Sequence, residues 1–279
     1  MPTIGGGGMR SVPFKAWAAR SSSLALGVMV ALVGGVGAVA VNPSSAAAAC
    51  DPGRPGGGWP DYRWVGSGRS VSGPSYINGV KAAISYYDGF VYPWSPSLYL
   101  STTSAWVQIV KPDTFPNDGW VKAGHTTRRV PGGGTEFRTF IHAKPRGYST
   151  PSFFTTYAVA LGSSPTYELR YNENQQYVGA IDVYRNGQAL LSNILVGFGG
   201  PSAHPPDLAQ ASGQADMVQD QMPGATNAPV YFSDVNVRVN GSSTWQAFSG
   251  AAFNSNPVEY GLVGYSTSSF SIWDKKCTY

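Results

Sequence analysis

Val235-Asn236-Val237-Arg238-Val239 runs into Asn240-Gly241, and Trp245-Gln246-Ala247-Phe248 follows. Apolar and polar residues alternate with a period of two, which puts the valines on one face of an extended strand and Asn236 and Arg238 on the other. Asn-Gly tolerates the two positive φ angles of a type I′ turn, so the segment reads as a β-hairpin. The same grammar recurs elsewhere. Tyr167, Leu169 and Tyr171 alternate with Glu168 and Arg170, and Asn186-Gly187 separates Ala180–Tyr184 from Ala189–Leu191. A third Asn-Gly, Asn78-Gly79, precedes Val80–Ile84 and reads as another turn. Further strands are expected at Ala105–Val110, Trp120–Thr127, Thr135–His142 and Phe153–Leu161. No long amphipathic helix is expected, only a short helical turn near Asp207–Gln214. Many short strands with frequent turns point to an antiparallel sandwich.

The N-terminus has a different character. Residues 1–49 hold no Asp or Glu, Arg10, Lys15 and Arg20 make a basic start, and Leu24–Val41 is apolar. Ala47-Ala48-Ala49 supplies the small residues of a cleavage site, so residues 1–49 read as a secretory signal, of a kind that suits a bacterial exporter. Its glycines and that site argue against a stable membrane anchor. Losing its three basic residues takes the net charge from +4 to +1, and no Lys/Arg run suggests nucleic-acid binding. A Pro/Gly-rich arm is expected over residues 50–74 and one sandwich domain over 75–279.

The chain has two cysteines, Cys50 and Cys277. In an exported protein two cysteines read as one disulfide. Closing so long a loop would stabilise the fold by up to ~5 kcal/mol in the chain-entropy model. A lipid anchor on Cys50 or two free thiols are the alternatives, and the polar Asn42–Ser45 break argues against the first.

Common catalytic signatures are absent: no G-x-S-x-G, no H-E-x-x-H and no P-loop. His125, His142 and His204 are the only histidines, and strand surfaces or loops are expected for them. No Cys/His cluster suggests a metal, and no cofactor is expected.

Carboxylate or amide chemistry remains. Gly213-Gln214-Ala215-Asp216-Met217-Val218-Gln219-Asp220-Gln221-Met222-Pro223-Gly224 and Phe232-Ser233-Asp234-Val235 resemble the catalytic stretch of secreted glutamic peptidases, neprosin-like and fungal-type. Ser104–Ile109, Gly119–Gly124, Glu136–His142 and Arg170–Leu191 are similar to strands of the same enzymes in the same order, over roughly residues 75–250. The resemblance implies an all-β, concanavalin-like (jelly-roll type) sandwich with a concave sheet. It also implies a Glu, paired with Gln or a second Glu, that activates water and stabilises an oxyanion.

The matching positions are Lys122 for the first residue and Gln214, or Gln219, for the second. A glutamine amide cannot serve as a general base. A buried Lys122 of lowered pKa would be a different mechanism. The expected reading is therefore a degenerate peptidase fold whose cleft binds an extracellular peptide or glycan. Its cleft-lining candidates are Gln108, Trp120, Glu136, Asp216 and Asp220. An active acid endopeptidase with displaced groups is the alternative, with Gln108 as the amide and Glu136, Glu168, Asp216 or Asp220 as the carboxylate. Seven tryptophans spread over residues 59–273 raise a third option, a carbohydrate-binding cell-wall protein, although Trp at strand positions is usually core. A secreted monomer is expected.

Overall fold

The computed structural model describes residues 53, 63–85, 87, 102–129, 135–159, 163–173, 177–200, 203–216 and 220–278. The signal segment, Cys50, Trp59, Trp94 and Gln219 lie outside them. The strands are β1 (Arg63–Ser70), β2 (Ile77–Ile84), β3 (Thr102–Lys111), β4 (Gly119–Arg129), β5 (Thr135–Lys144), β6 (Ser152–Ala158), β7 (Thr166–Tyr171) and β8 (Ala180–Arg185). They continue as β9 (Gln188–Leu195), β10 (Leu208–Ala215), β11 (Gly224–Ala225), β12 (Ala228–Val239), β13 (Gln246–Ala247), β14 (Ala251–Asn254), β15 (Tyr260–Ser266) and β16 (Ser269–Asp274). No helix occurs among the described residues.

Two sheets form. Sheet A has the order β14-β1-β10-β3-β4-β5-β6, and sheet B runs β15-β16-β11-β12-β2-β7-β8-β9 with β13 beside β12. Pairing is antiparallel throughout apart from a single bridge between β11 and β16. The chain passes repeatedly from one sheet to the other, and the architecture is all-β: the antiparallel sandwich that the alternation predicts, of the jelly-roll type that the resemblance implies.

Period-two patterning builds the core directly. Ala105, Val107 and Ile109 of β3 and Val121 and Ala123 of β4 face Val80, Ala82 and Ile84 of β2 and Tyr167, Leu169 and Tyr171 of β7, all buried. Phe232 and Phe270 stack with centroids 4.6 Å apart. Each fully buried side chain of this size contributes about 1.5–3 kcal/mol. His125 also belongs to this interior, against the surface or loop position expected for it. It is fully buried among Tyr87, Phe137 and Tyr167, and burial pushes its pKa down to about 3, so the imidazole is neutral.

Two of the three Asn-Gly pairs are turns. Asn186-Gly187 joins β8 to β9 and Asn240-Gly241 ends β12, with φ of 51° and 76°, and 56° and 73°. Asn78-Gly79 is not a turn: it lies inside β2, where Gly79 faces Arg238 across the pair with β12. A Cβ there would meet Trp245 at 3.0 Å and Arg238 at 3.2 Å, so this glycine makes room rather than bending the chain.

Two further expectations are corrected. Residues 63–70 are no arm: β1 pairs over its whole length with β10. The expected helical turn near Asp207–Gln214 is instead strand β10, between β1 and β3. Its alanines carry helix propensity, but small inward residues are what this position needs. A Cβ on Gly213 would stand 2.2 Å from Ile272 Cδ1 and 3.1 Å from Pro223, so sheet B approaches too closely for a side chain. Tertiary packing overrides local preference here.

Candidate functional site

The outward face of sheet A carries the site. Because β10, β3, β4 and β5 are consecutive, residues distant in sequence stand in rows across the sheet. Gln210, Gln108, Lys122 and His142 form one such row, and Leu208, Val110, Trp120 and Lys144 form the next. A groove of about 700 Å³ lies over these rows, walled by Trp64, Phe253, Phe115 and Pro151. Trp64 is 43% exposed. Its backbone is fastened in both directions, Trp64 N–H donating to Ser255 Oγ at 3.1 Å and Ser255 N–H to Trp64 O at 2.9 Å.

Lys122 sits at the centre and is 8% exposed. Its Nζ donates to Gln214 Oε1 at 2.9 Å and lies 5.3 Å from the ring centroids of both Trp106 and Trp120 and 6.0 Å from that of Phe140. Gln214 Nε2 in turn donates to Asp216 Oδ1 at 2.7 Å, and Thr102 Oγ1 donates to Asp216 Oδ2. The glutamine thus stands between a cation and an anion, with its amide orientation set by both. Burial lowers the Lys122 pKa to about 8, only partly offset by the Asp216 charge. Burial also raises Asp216 above the ordinary carboxylate range, opposed by Thr102, Lys122 and Gln214. His142, packed edge-on against Trp120 at 4.9 Å, is held neutral, pushed down to about 3 by burial and the Lys122 charge.

The second lysine of the groove is differently employed. Lys144 Nζ donates to Pro116 O at 2.9 Å, Asp118 O at 2.7 Å and Asp118 Oδ1 at 2.7 Å. All three of its N–H groups are engaged, and they clamp the β3–β4 loop that forms one wall. The amides of Gln108 and Gln210 make no hydrogen bond with any described residue and open to the groove.

The expected site residues therefore separate. Lys122 and Gln214, 92 residues apart in sequence, are in contact, with Asp216 behind them and Gln108 and Trp120 lining the same groove. Glu136 is not a groove residue: it is paired with Arg128 and, at 2.7 Å, with Arg138. Glu168 belongs to sheet B and is paired with Arg170. Asp220 is fully buried away from the groove. The end of the Gly213–Gly224 stretch is structural. Met222 N–H donates to Asp274 Oδ2 at 3.1 Å, Gln221 Nε2 to Gly224 O at 2.9 Å, and Thr226 N–H to Cys277 O at 2.8 Å. Cys277 is buried and is not a free thiol. Sequence reasoning missed Trp64, Gln210, His142 and Lys144 as groove residues. The alternation of β4 and β5 puts Lys122, His142 and Lys144 on outward faces, but only strand order assembles them. Among the described residues no group of three His, Cys, Asp or Glu side chains could hold a metal ion.

No family model matches this chain, and no curated protein matches it. Among solved structures, the alginate lyase Aly36B is similar with a TM-score of 0.32 at 9% identity, covering 53% of this chain and 70% of that one. A double mutant of that lyase in complex with an alginate trisaccharide gives 0.30 at 10% identity, covering 74% and 70%. The β-porphyranase BpGH16B from the human gut bacterium Bacteroides plebeius gives 0.22 at 7%, covering 54% and 64%. Likeness at this level carries no argument about what this chain binds, and the sandwich rests on its own strands and register.

Proposed function

We propose that this is a secreted β-sandwich protein whose sheet A groove binds a glycan. It would be built on a frame like that of the glutamic peptidases, without their general base. The observation that carries the reading is one groove holding an exposed Trp64, further indole rings from Trp106 and Trp120, and the unengaged amides of Gln108 and Gln210. Aromatic faces stack on the apolar C–H surfaces of sugars, and side-chain amides offer both donors and acceptors to hydroxyls. The carboxylate in the lining, Asp118, is committed to Lys144. Export through the N-terminal segment, a Cys50–Cys277 disulfide and a monomeric state belong to the same proposal.

Affinity electrophoresis of the purified protein against a panel of plant, algal and bacterial polysaccharides tests it. At least one glycan should retard the protein, and Trp64→Ala should weaken that retardation about tenfold, the loss of one stacking platform. No retardation by any glycan would overturn the reading.

The Gln214–Asp216 contact favours a second reading, an acid endopeptidase in which Asp216 replaces the missing glutamate. Both Asp216 oxygens already accept hydrogen bonds from Thr102 and Gln214, which counts against their activating water. Cleavage of casein between pH 3 and 6, abolished by Asp216→Asn, would establish this reading in place of the first.

A further inference from the structure

The groove holds two lysines whose hydrogen bonding differs. Lys144 donates three hydrogen bonds, one of them to a carboxylate. Lys122 donates one, to a neutral amide, although an ammonium carries three donors. Lys81, Lys111, Lys144 and Lys276 each touch a carboxylate. Lys122 touches none, and its nearest anion, Asp216, is reached only through Gln214. A buried ammonium with unengaged donors is costly to keep. Three aromatic rings offset part of that cost, but each gives only a diffuse attraction. Beside it, the Trp106 indole N–H is buried without an acceptor. The groups left over at this point are thus mainly donors with a positive charge among them.

We infer that the central row of the groove recognises an anionic group carried by a glycan, with Lys122 as the residue that reads the charge. This rests on the glycan reading above and narrows it to acidic polysaccharides. An oxyanion over Lys122 would take up the free ammonium donors, while the facing amides of Gln108 and Gln210 donate to its other oxygens or to neighbouring hydroxyls. Gln214, held by Asp216, is the positioning residue that keeps the ammonium turned to one place. A carboxylate and a sulfate ester share this chemistry.

Among the described residues, the charged and titratable groups facing Lys122 are few. His142 from β5 is neutral, Asp216 follows β10, β3 contributes only the uncharged Gln108, and Lys144 and Asp118 neutralise each other farther along. Charge reading should therefore follow Lys122 itself, whose pKa near 8 makes it lose its proton on the way to pH 9.5.

The test is isothermal titration of the whole chain with polygalacturonate, a carrageenan and a neutral galactan. Titrations run in 0.15 M salt, where exposed charges are screened beyond about 8 Å. Expected is a preference for at least one acidic polymer over galactan of tenfold or more, falling at least tenfold between pH 6.5 and 9.5. Lys122→Met should reduce that preference by at least tenfold, and Glu173→Gln, on the other sheet, should leave it unchanged. The carboxylate and sulfate arms tell which oxyanion is read. Thermal unfolding checks that Lys122→Met is folded, and the pH profile of the unaltered protein stands without it. Galactan binding with no acidic preference, or a preference that Lys122→Met retains, would overturn this inference and leave the glycan reading intact. Binding of no glycan at all would overturn both.

Discussion

The outer face of sheet B and the centre of the outer face of sheet A use their polar residues in opposite ways. On sheet B the charges satisfy one another. Lys81 pairs with Asp234 at 2.8 Å, Arg170 with Glu168 and, at 3.2 Å, with Glu173, and Glu173 also takes Arg238. The Arg170 guanidinium further lies 4.3 Å over the Tyr184 ring. On sheet A the centre of the outward face is left with a singly bonded lysine, two unengaged glutamines and an indole N–H without an acceptor. Self-paired charge closes a surface, because a ligand would first have to break the pairs. Buried donors kept open are a standing cost that folding alone does not explain. The same sandwich thus has one face finished by its own residues and one face that a ligand would finish.

The largest expected effect breaks the sandwich beneath both faces. Gly213→Leu would drive a side chain into Ile272 and Pro223, and overpacking of this kind costs about 3 kcal/mol, read as a fall in the urea midpoint.

Next comes the lysine that marks the open face. Because burial lowers its pKa to about 8, the fold disfavours the charged amine. The penalty is fully present below pH 8 and vanishes above the unfolded lysine's pKa of about 10.4. Lys122→Met should therefore raise the unfolding free energy at pH 7 by roughly 2 kcal/mol, after allowing for the lost amide and ring contacts. The gain should shrink to nothing near pH 11. A variant destabilised at pH 7 would mean that Lys122 is a structural residue like Lys144, and the contrast between the faces would fail.

On the closed face, Glu173→Gln removes the partner shared by Arg170 and Arg238 and should cost about 1 kcal/mol, since the pairs are only partly buried. That loss should shrink in 1 M salt, which chemical denaturation at two salt concentrations would read. The smallest effect belongs to a turn far from either face's chemistry. Gly187→Ala at φ 76° should cost about 1 kcal/mol or less by thermal unfolding.

Much of the sandwich is legible in the sequence, and the failures have physical causes. β7 and β12 announce themselves by alternation, because half-buried strands need apolar residues on one side only, and β3, β4, β5, β6 and β8 are also expected as strands. β1 is hidden by its composition, Arg-Trp-Val-Gly-Ser-Gly-Arg-Ser, which reads as an extension of the Pro/Gly-rich segment before it. β10 is hidden because its buried side is filled by alanine and glycine, chosen for a close approach between sheets and indifferent to local preference. Asn78-Gly79 misleads because a glycine that clears space for Trp245 looks the same in sequence as one that turns the chain. Of the site, Lys122 and Gln214 stand out only through a family resemblance, and Trp64, Gln210, His142 and Lys144 do not stand out at all.

Local pattern along the chain is enough to show that it is built of strands, where two of its tight turns fall, and which side of strands such as β7 and β12 is buried. Those properties depend on neighbours one or two residues away. That β3 lies between β10 and β4 is visible only in the folded chain. That strand order brings Lys122 within 2.9 Å of Gln214, sets Gln108 against Gln210 and turns Glu136 to its arginines. Strand order is set by which buried faces fit across the two sheets, a property of the packed core, and the groove's chemistry follows from it.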